Sequence, residues 1–359
     1  DSVVVTFNYK KYDAISVDDS RNYYVGSVIE DNFDAEQAGY KFVGWFTESG
    51  KKITFPYTVT NEMRFIAKYI DLATGNEGLS YRLIEDYTLT AFVPADWNVN
   101  WKNYYRKTGS VYEPVTDEVC PLWTSGTYYF YGSQYIVDGF DGAEDVVVIP
   151  DKYNGIDVTG IAPGVFADYG IKEFVVSPTN RYFKVDAGVL YNFAKDRLLA
   201  YPTLKTDATF SIERGTAKVY SIADYAFKNA KYLVSVNLGN NLLDIGKGAF
   251  ENCYLLNSVT VPASVRTIND GAFKMSKSSA LSSITFLTPS ALTEIGDEAF
   301  YGLNKLTTID IPASVSSIGS GVFTGCKFLE RITVAENNVN FIVYVVFGNR
   351  YTTIDIPAS

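Results

Sequence analysis

The sequence predicts a mainly β protein whose C-terminal part is a solenoid of short parallel strands. The octapeptide TTIDIPAS stands at 307–314 and again at 352–359, 45 residues later. Phenylalanines recur at gaps of 23, 23, 27 and 23 residues, at Phe227, Phe250, Phe273, Phe300 and Phe323. Regular periods of roughly 20–50 residues indicate stacked repeats. The two octapeptides should therefore mark the same point of the repeat, two coils apart.

The first segment, residues 1–72, is predicted to be a small β-rich domain. The run VVVTFNYK at 3–10 alternates polar and apolar residues as a strand does, and KFVGWF and MRFIAKY are further strand-like runs. GYKFVGWFTESG and the closing RFIAKY resemble the Listeria–Bacteroides repeat, the B-repeat of internalin-type bacterial surface proteins. The resemblance implies a β-grasp-like fold. Trp45 is expected in its core, and a ligand platform is the alternative.

The middle segment, 73–145, is predicted to be a β-hairpin and N-cap region with an aromatic-rich insertion at about 93–133. The run at 79–92 is expected to pair with the run at 134–140 as the first hairpin of the array. Binding sites are common on loops that a rigid scaffold holds, and aromatic faces stack on sugar rings. A small satellite core is the alternative. The candidate ligand-binding residues of the insertion are Trp97, Trp101, Tyr104, Tyr105 and Trp123.

The repeat unit is clearest in LLNSVTVPASVRTINDGAF at 255–273. In SVTV the period of two places Val259 and Val261 inward and Ser258 and Thr260 outward. VRTI should form a second extended stretch, and GAF should close the coil with Phe273 as a core plug. A single coil buries too little apolar surface to offset the entropy of ordering it, whereas stacked coils bury both faces. The period and the recurring Leu predict a leucine-rich-repeat-like solenoid over 146–359.

GAFENCYLLNSVTVPASVRTI and GVFTGCKFLERITV resemble the BspA-like, or Treponema-type, leucine-rich repeats. The resemblance implies an extracellular location, attached to a bacterial surface or secreted, and interaction with other molecules rather than catalysis. The chain is expected to be a mature or trimmed fragment whose array is truncated at the C-terminus.

The outward strand positions are the second set of candidate ligand-binding residues. They are mostly small, polar and neutral, and they include no large aromatic residue that could anchor a protein partner. The candidates are Ser258, Thr260, Thr285, Asp310 and Arg331, and the same pattern places Ser235, Asn237, Ser283, Thr308 and Thr333 outward.

Composition excludes several function classes. The net charge of −10 argues against nucleic acid and anionic membranes, because basic side chains supply most of that affinity. The sequence contains no histidine, which removes Ser-His-Asp triads and His-based zinc sites. No apolar run approaches the roughly 18 residues of a membrane span, so membrane insertion is not expected.

Catalysis and cofactors are not predicted. The 41 Asp and Glu residues leave a two-carboxylate glycosidase open, but no nucleotide, nucleophile or zinc motif is present. DGFDGAED at 138–145 lacks the spacing of a calcium loop and is interpreted as an acidic turn. Cys253 and Cys326 share one repeat position too far apart for a disulfide, so both should be buried. Cys120 is interpreted as a free or buried thiol.

The sequence thus predicts a monomeric, non-enzymatic surface module without a metal or cofactor. Its expected partners are proteins or glycans on host or bacterial surfaces. The alternative is a structural spacer or stalk of a larger surface protein, with no ligand of its own.

Overall fold

The computed structural model describes residues 2–11, 15–30, 35–85, 88–92, 104–108, 111–114, 125–130, 133–142, 144–215, 218–334 and 353–355. Every regular element within these ranges is a β-strand, so the mainly β prediction is confirmed. No segment of the described chain forms a helix of the length and apolar character needed to cross a membrane.

The N-terminal part is a mixed four-stranded sheet of order β2-β1-β6-β4. Its central strands β1 and β6 run parallel, whereas β2 and β4 pair antiparallel at the two edges. Two short strands, β3 and β5, pair beside the sheet. The strands are β1 (Ser2–Lys11), β2 (Ile15–Tyr24), β3 (Val28–Ile29), β4 (Tyr40–Phe46), β5 (Tyr57–Thr58) and β6 (Met63–Asp71).

The core of this sheet is aromatic. The Phe7 ring meets Trp45 edge-on with centroids 5.3 Å apart, and Phe65 at 5.4 Å. Trp45 is only 2% exposed, which confirms its core placement and contradicts the ligand-platform alternative. The spaced aromatic residues of β1, β4 and β6 thus determine the face that is buried.

The middle segment divides its strands between two sheets. β7 pairs antiparallel with β12, which confirms the predicted pairing for the first half of 79–92. The second half is a separate strand, β8, in a sheet of order β10-β9-β11-β8, so the expectation of one hairpin over 79–92 was wrong there. The strands are β7 (Leu79–Glu85), β8 (Thr88–Phe92), β9 (Tyr104–Thr108), β10 (Val111–Pro114), β11 (Ser125–Phe130) and β12 (Ser133–Phe140).

The array begins with β12, which pairs parallel with β15. β13 and β16 pair parallel on successive coils, and β17, β18 and β19 form an antiparallel meander. The strands are β13 (Val146–Ile149), β14 (Lys152–Tyr153), β15 (Ile156–Ile161), β16 (Glu173–Val176), β17 (Phe183–Asp186), β18 (Val189–Asn192), β19 (Arg197–Ala200) and β20 (Thr209–Ser211).

The regular coils carry two strands each, which build two sheets. We call the sheet β20-β22-β24-β26, continued by β28-β30-β31, the front sheet. The back sheet has the order β17-β18-β19-β21-β23-β25-β27-β29. The remaining strands are β21 (Ser221–Ile222), β22 (Ser235–Asn237), β23 (Asp244–Ile245), β24 (Ser258–Val261), β25 (Thr267–Ile268), β26 (Ser283–Phe286), β27 (Glu294–Ile295), β28 (Thr308–Asp310), β29 (Ser317–Ile318), β30 (Arg331–Thr333) and β31 (Thr353–Asp355).

The repeated octapeptide occupies equivalent strands of the front sheet. Ile309 pairs with Ile332, and Ile332 pairs with Ile354, all in parallel register. The two copies therefore lie two coils apart at the same point of the repeat, as the spacing predicted.

The periodic phenylalanines form one stack through the solenoid core. Consecutive ring centroids from Phe227 to Phe323 are 4.7, 5.2, 6.0 and 5.7 Å apart, with interplanar angles of 17°, 2°, 27° and 23°. All five side chains are buried. Each coil supplies one ring at the same height, so every coil covers the aromatic face of its neighbours.

Cys253 and Cys326 are buried at the same turn of the coil, as predicted, and neither forms a disulfide. Their Sγ atoms donate hydrogen bonds to the carbonyls of Phe227 and Phe300, at 3.0 and 3.1 Å. Burial raises the pKa of each thiol to about 12, so neither is a ready nucleophile. Cys120 lies outside the described residues.

The N-terminal sheet packs directly on the first coil of the array. Ile70 of β6 is buried with Val146 and Val148 of β13. Lys41 bridges to Glu173 at 2.8 Å, and Lys52 bridges to Asp145 at 3.0 Å. An apolar contact flanked by ion pairs therefore connects the two parts.

Candidate binding surfaces

The outward side of the front sheet, which we call the strand face, displays two columns of polar side chains. The register sets Ser258 opposite Ser283 and Thr260 opposite Thr285. Val259 and Val261 alternate with them and are buried, as predicted. The columns are Ser235, Ser258, Ser283, Thr308 and Arg331 in the first, and Asn237, Thr260, Thr285, Asp310 and Thr333 in the second.

The chemistry of the strand face is that of hydrogen bonding. Ser258, Thr260 and Thr285 are exposed hydroxyls, repeated at the strand spacing of about 4.8 Å. Asp310 and Arg331, also exposed, add one charge of each sign on neighbouring strands. Such a row can donate to and accept from amide or hydroxyl groups of a ligand. The structure thus brings all five predicted residues onto one surface.

Among the described residues, three exposed apolar side chains stand just before strands of the front sheet, and sequence reasoning missed them. We call them the rim residues: Tyr232, Leu255 and Phe328, which are 37%, 47% and 60% exposed. Each stands three residues before the first outward residue of its strand. The sequence signal that could have found the rim residues is an apolar residue directly before a buried leucine of the coil. The buried leucines are Leu233, Leu256 and Leu329.

The predicted aromatic insertion is described only in part. Trp97, Trp101 and Trp123 lie outside the described residues. Tyr104 and Tyr105 belong to β9, which pairs with β10 and β11, and their side chains lie outside the described set. Ligand binding by the insertion therefore stays a prediction.

A tyrosine cluster connects β7 and β12 with β14. Tyr81 and Tyr153 stack with centroids 4.1 Å apart, and Tyr135 meets Tyr153 edge-on at 5.1 Å. Burial raises the pKa of Tyr81 to about 12. Tyr153 is 39% exposed, so one ring of the cluster reaches solvent.

The acidic segment at 138–145 begins within β12 (Ser133–Phe140), so its interpretation as a turn was wrong for Asp138–Phe140. Its last residue, Asp145, contributes to the junction between the two parts. Asp145 accepts from Lys52 and from Lys172, the latter at 2.6 Å. Burial alone would raise the pKa of Asp145, but the hydrogen bonds from both lysines outweigh it and lower the pKa. Within the described ranges, His, Cys, Asp and Glu form no group of three or more that could hold a metal ion.

The stacked coils, the internal phenylalanine column and the parallel strand face define a leucine-rich-repeat solenoid. Residues 209–286 and 256–359 match the family described as BspA type leucine rich repeat region, in six copies. The match confirms the resemblance for this part of the array, which is less than half of the chain.

Solved structures of bacterial leucine-rich-repeat proteins align with the chain. A leucine-rich cell surface protein from Faecalibacterium prausnitzii is 26% identical over 60% of this chain and 49% of that chain, with a TM-score of 0.40. The pneumococcal vaccine antigen PcpA is 24% identical over 49% of this chain and 36% of that one, with a TM-score of 0.37. A leucine-rich-repeat protein from Bacteroides ovatus is 16% identical over 60% and 66%, with a TM-score of 0.26. The chain thus spans about a third of PcpA and half of the F. prausnitzii protein. No curated protein matches it.

Proposed function

We propose that the chain is a non-enzymatic recognition module of a bacterial cell-surface protein, which adheres to proteins or glycans on host or bacterial surfaces. The observation that carries the proposal is the strand face with its apolar rim. Exposed hydroxyls in register can bond a polar partner, and Tyr232, Leu255 and Phe328 can anchor it. Interfaces commonly combine such apolar anchors with adaptable polar contacts.

The extracellular location is part of the same proposal. Its support is the match to BspA-type repeats over the array. The module acts as a monomer without a cofactor, either attached to the cell surface or secreted. The domain limits 1–72, 73–145 and 146–359 are proposed with it. The strand order β2-β1-β6-β4 with a parallel centre supports a β-grasp-like N-terminal domain of the internalin B-type.

The test is binding of the purified chain to immobilised matrix glycoproteins and to a glycan array. Tyr232→Ser with Leu255→Ser removes two anchors, and Thr260→Lys with Thr285→Lys blocks the second column of the strand face. We expect at least a tenfold loss of affinity in each. Ser317→Lys, on an exposed position of the back sheet, is the matched control and should bind normally.

Two outcomes would change the site or the function. Binding that survives both strand-face variants but is lost in Trp97→Ala, Trp101→Ala and Trp123→Ala combined would move the site to the aromatic insertion. Absence of binding by the unmodified chain would contradict the recognition proposal.

The second candidate function is a spacer. The junction of Ile70 with Val146 and Val148 favours it, because an apolar contact flanked by ion pairs keeps two parts in one orientation. A chain that binds no surface molecule but retains a fixed end-to-end distance in solution scattering, lost in Ile70→Asp, would support this candidate.

A further inference from the structure

A groove of about 410 Å³ runs along the turns that follow the back strands, away from the strand face. Residues of five successive coils line it, from the turn after β21 to the turn after β29. Gly248 and Gly271 form its middle, Tyr225 lies at one end and Glu298 lies towards the other. No part of the proposed recognition surface contributes to it, so the inference drawn from it is independent of the strand face.

The residues at the two ends adopt a backbone conformation that suits glycine. Gly248, Gly271 and Gly321 share one position of the repeat, with φ of 55°, 58° and 63°. Tyr225 and Glu298 occupy the same position in their coils with φ of 60° and 53°. The left-handed conformation costs a residue with a side chain about 1–2 kcal/mol. Two of these five coils therefore carry a side chain at a position where the other three have glycine.

The neighbouring glycines leave room for the Tyr225 ring. A Cβ on Gly248 would lie 2.5 Å from its Cδ1 and Cε1 atoms, and one on Gly164 would lie 3.0 Å from Cδ2. One ring edge therefore lies against the coil before and the other against the coil after. The half-buried ring forms an aromatic surface at the end of the groove.

Charged side chains of both signs line the groove in fixed positions. Asp270 and Asp297 each accept a backbone N–H from the next coil, at 2.9 and 2.7 Å. Lys274 is paired with Glu298, and the Lys247 ammonium is 3.9 Å from Asp270. Hydrogen bonds to Glu298 raise the pKa of Lys274, which stays a donor at neutral pH.

The Tyr225 ring and the charged side chains together indicate which class of ligand the groove can bind. An aromatic surface beside fixed carboxylates and ammonium groups matches the apolar face and the hydroxyl rim of a sugar. The two lysines would repel a basic peptide, and the four carboxylates would repel an acidic one. Successive coils repeat about every 4.8 Å, which is comparable with the length of one pyranose unit.

We propose that this groove is a glycan-binding site, which takes a neutral oligosaccharide laid along the solenoid axis. One sugar ring stacks on Tyr225, and the following units donate hydroxyls to Asp270 and Asp297 and accept from Lys274. The strand face and this groove would then be two separate binding surfaces on opposite parts of each coil.

Titration calorimetry with cellotetraose, maltotetraose and chitotetraose tests the site on the full chain. At least one tetrasaccharide should bind, and Tyr225→Gly should weaken it at least tenfold without lowering the melting temperature. Glu298→Gly should also weaken it, because it removes the partner that holds Lys274. Tyr24→Ala, at an exposed tyrosine of β2 in the N-terminal sheet and outside both surfaces, should bind like the unmodified chain.

Three results would overturn the proposal. They are the absence of binding by all three sugars, equal affinity in both glycine variants, and binding of a tetralysine peptide in place of the sugars. A lower melting temperature of Tyr225→Gly with unchanged sugar affinity would show that the ring only stabilises the fold. Because the strand-face variants leave the groove intact, failure here and failure of the proposed function are distinguishable.

Discussion

Phe273 lies in the middle of the aromatic stack and is fully buried between Phe250 and Phe300. Phe273→Ala removes the ring and leaves a cavity that the neighbouring coils cannot fill. We expect the free energy of unfolding to fall by about 3–5 kcal/mol in urea titrations. Phe328→Ala, at a residue that is 60% exposed, should change it by less than about 0.5 kcal/mol. Equal effects of the two variants would contradict the stacked core.

Asp186 at the end of β17 gives a pH-dependent prediction. The hydrogen bond from Lys195 lowers the pKa of Asp186, and Arg214 adds to it at 3.4 Å. Its contribution is therefore present above the unfolded pKa of about 3.9 and lost as the pH falls through the lower folded value. Asp186→Asn should destabilise the protein by about 0.5 kcal/mol at pH 7.

Urea midpoints at pH 7, 5 and 3 check this prediction. The difference between Asp186→Asn and the unmodified chain should shrink towards pH 3. Lys195→Met should show the same trend, because it removes the other half of the pair. A difference that stays constant with pH would rule out the ion pair as its cause.

Single residues were predictable where a local pattern determines them. The period of two correctly placed Val259 inward and Thr260 outward, and the 23-residue spacing correctly made Phe273 a core residue. The rim residues were missed because Tyr232 and Leu255 lie before the strand, where alternation gives no information. The positive φ of Tyr225 could not be predicted from its residue type, because tyrosine does not favour this conformation.

Among the elements, the turns between coils depend on close backbone approach. A Cβ on Gly302 would lie 2.0 Å from the carbonyl oxygen of Met275, a backbone atom that cannot move alone. Gly155, in the Asn154-Gly155 turn between β14 and β15, also has a positive φ but meets nothing within 4 Å. Adding a side chain at either glycine would cost conformational energy because both have a positive φ. Only at Gly302 would the added Cβ also clash with a neighbouring atom.

Gly302→Ala and Gly155→Ala are therefore a matched pair. We expect both to lose about 1–2 kcal/mol from the left-handed conformation. Gly302→Ala should lose about 1–3 kcal/mol more, because the coil must shift to admit the methyl group. Thermal and urea unfolding of both variants measure the difference, and equal losses would contradict the close contact.

Strand existence was easier to predict than strand partners. The alternation in 79–92 correctly indicated extended chain, but it could not show that β7 pairs with β12 while β8 joins another sheet. Which strand becomes the neighbour is decided by packing at long range. In the array the repeat itself supplies that information, since equivalent residues must be neighbours, and there the register was predictable.

At the scale of the whole molecule, repetition explains what the sequence could and could not predict. Stacked coils produce the phenylalanine column, the strand face and the groove of Tyr225 and Glu298 from one 23-residue pattern with small departures. The junction of Ile70 with Val146 and Val148 belongs to no repeat, so only the structure could show it.

The in-register stacking of coils is the central claim, and disulfide formation tests it most directly. Thr260 and Thr285 are register partners on neighbouring parallel strands, about 4.8 Å apart, which suits a disulfide. With Cys120→Ser in the background, Thr260→Cys with Thr285→Cys should cross-link on mild oxidation, as peptide mass spectrometry would show. Thr260→Cys with Thr333→Cys, three coils apart, should stay reduced. A cross-link in the distant pair, or none in the neighbouring pair, would contradict the stacked solenoid.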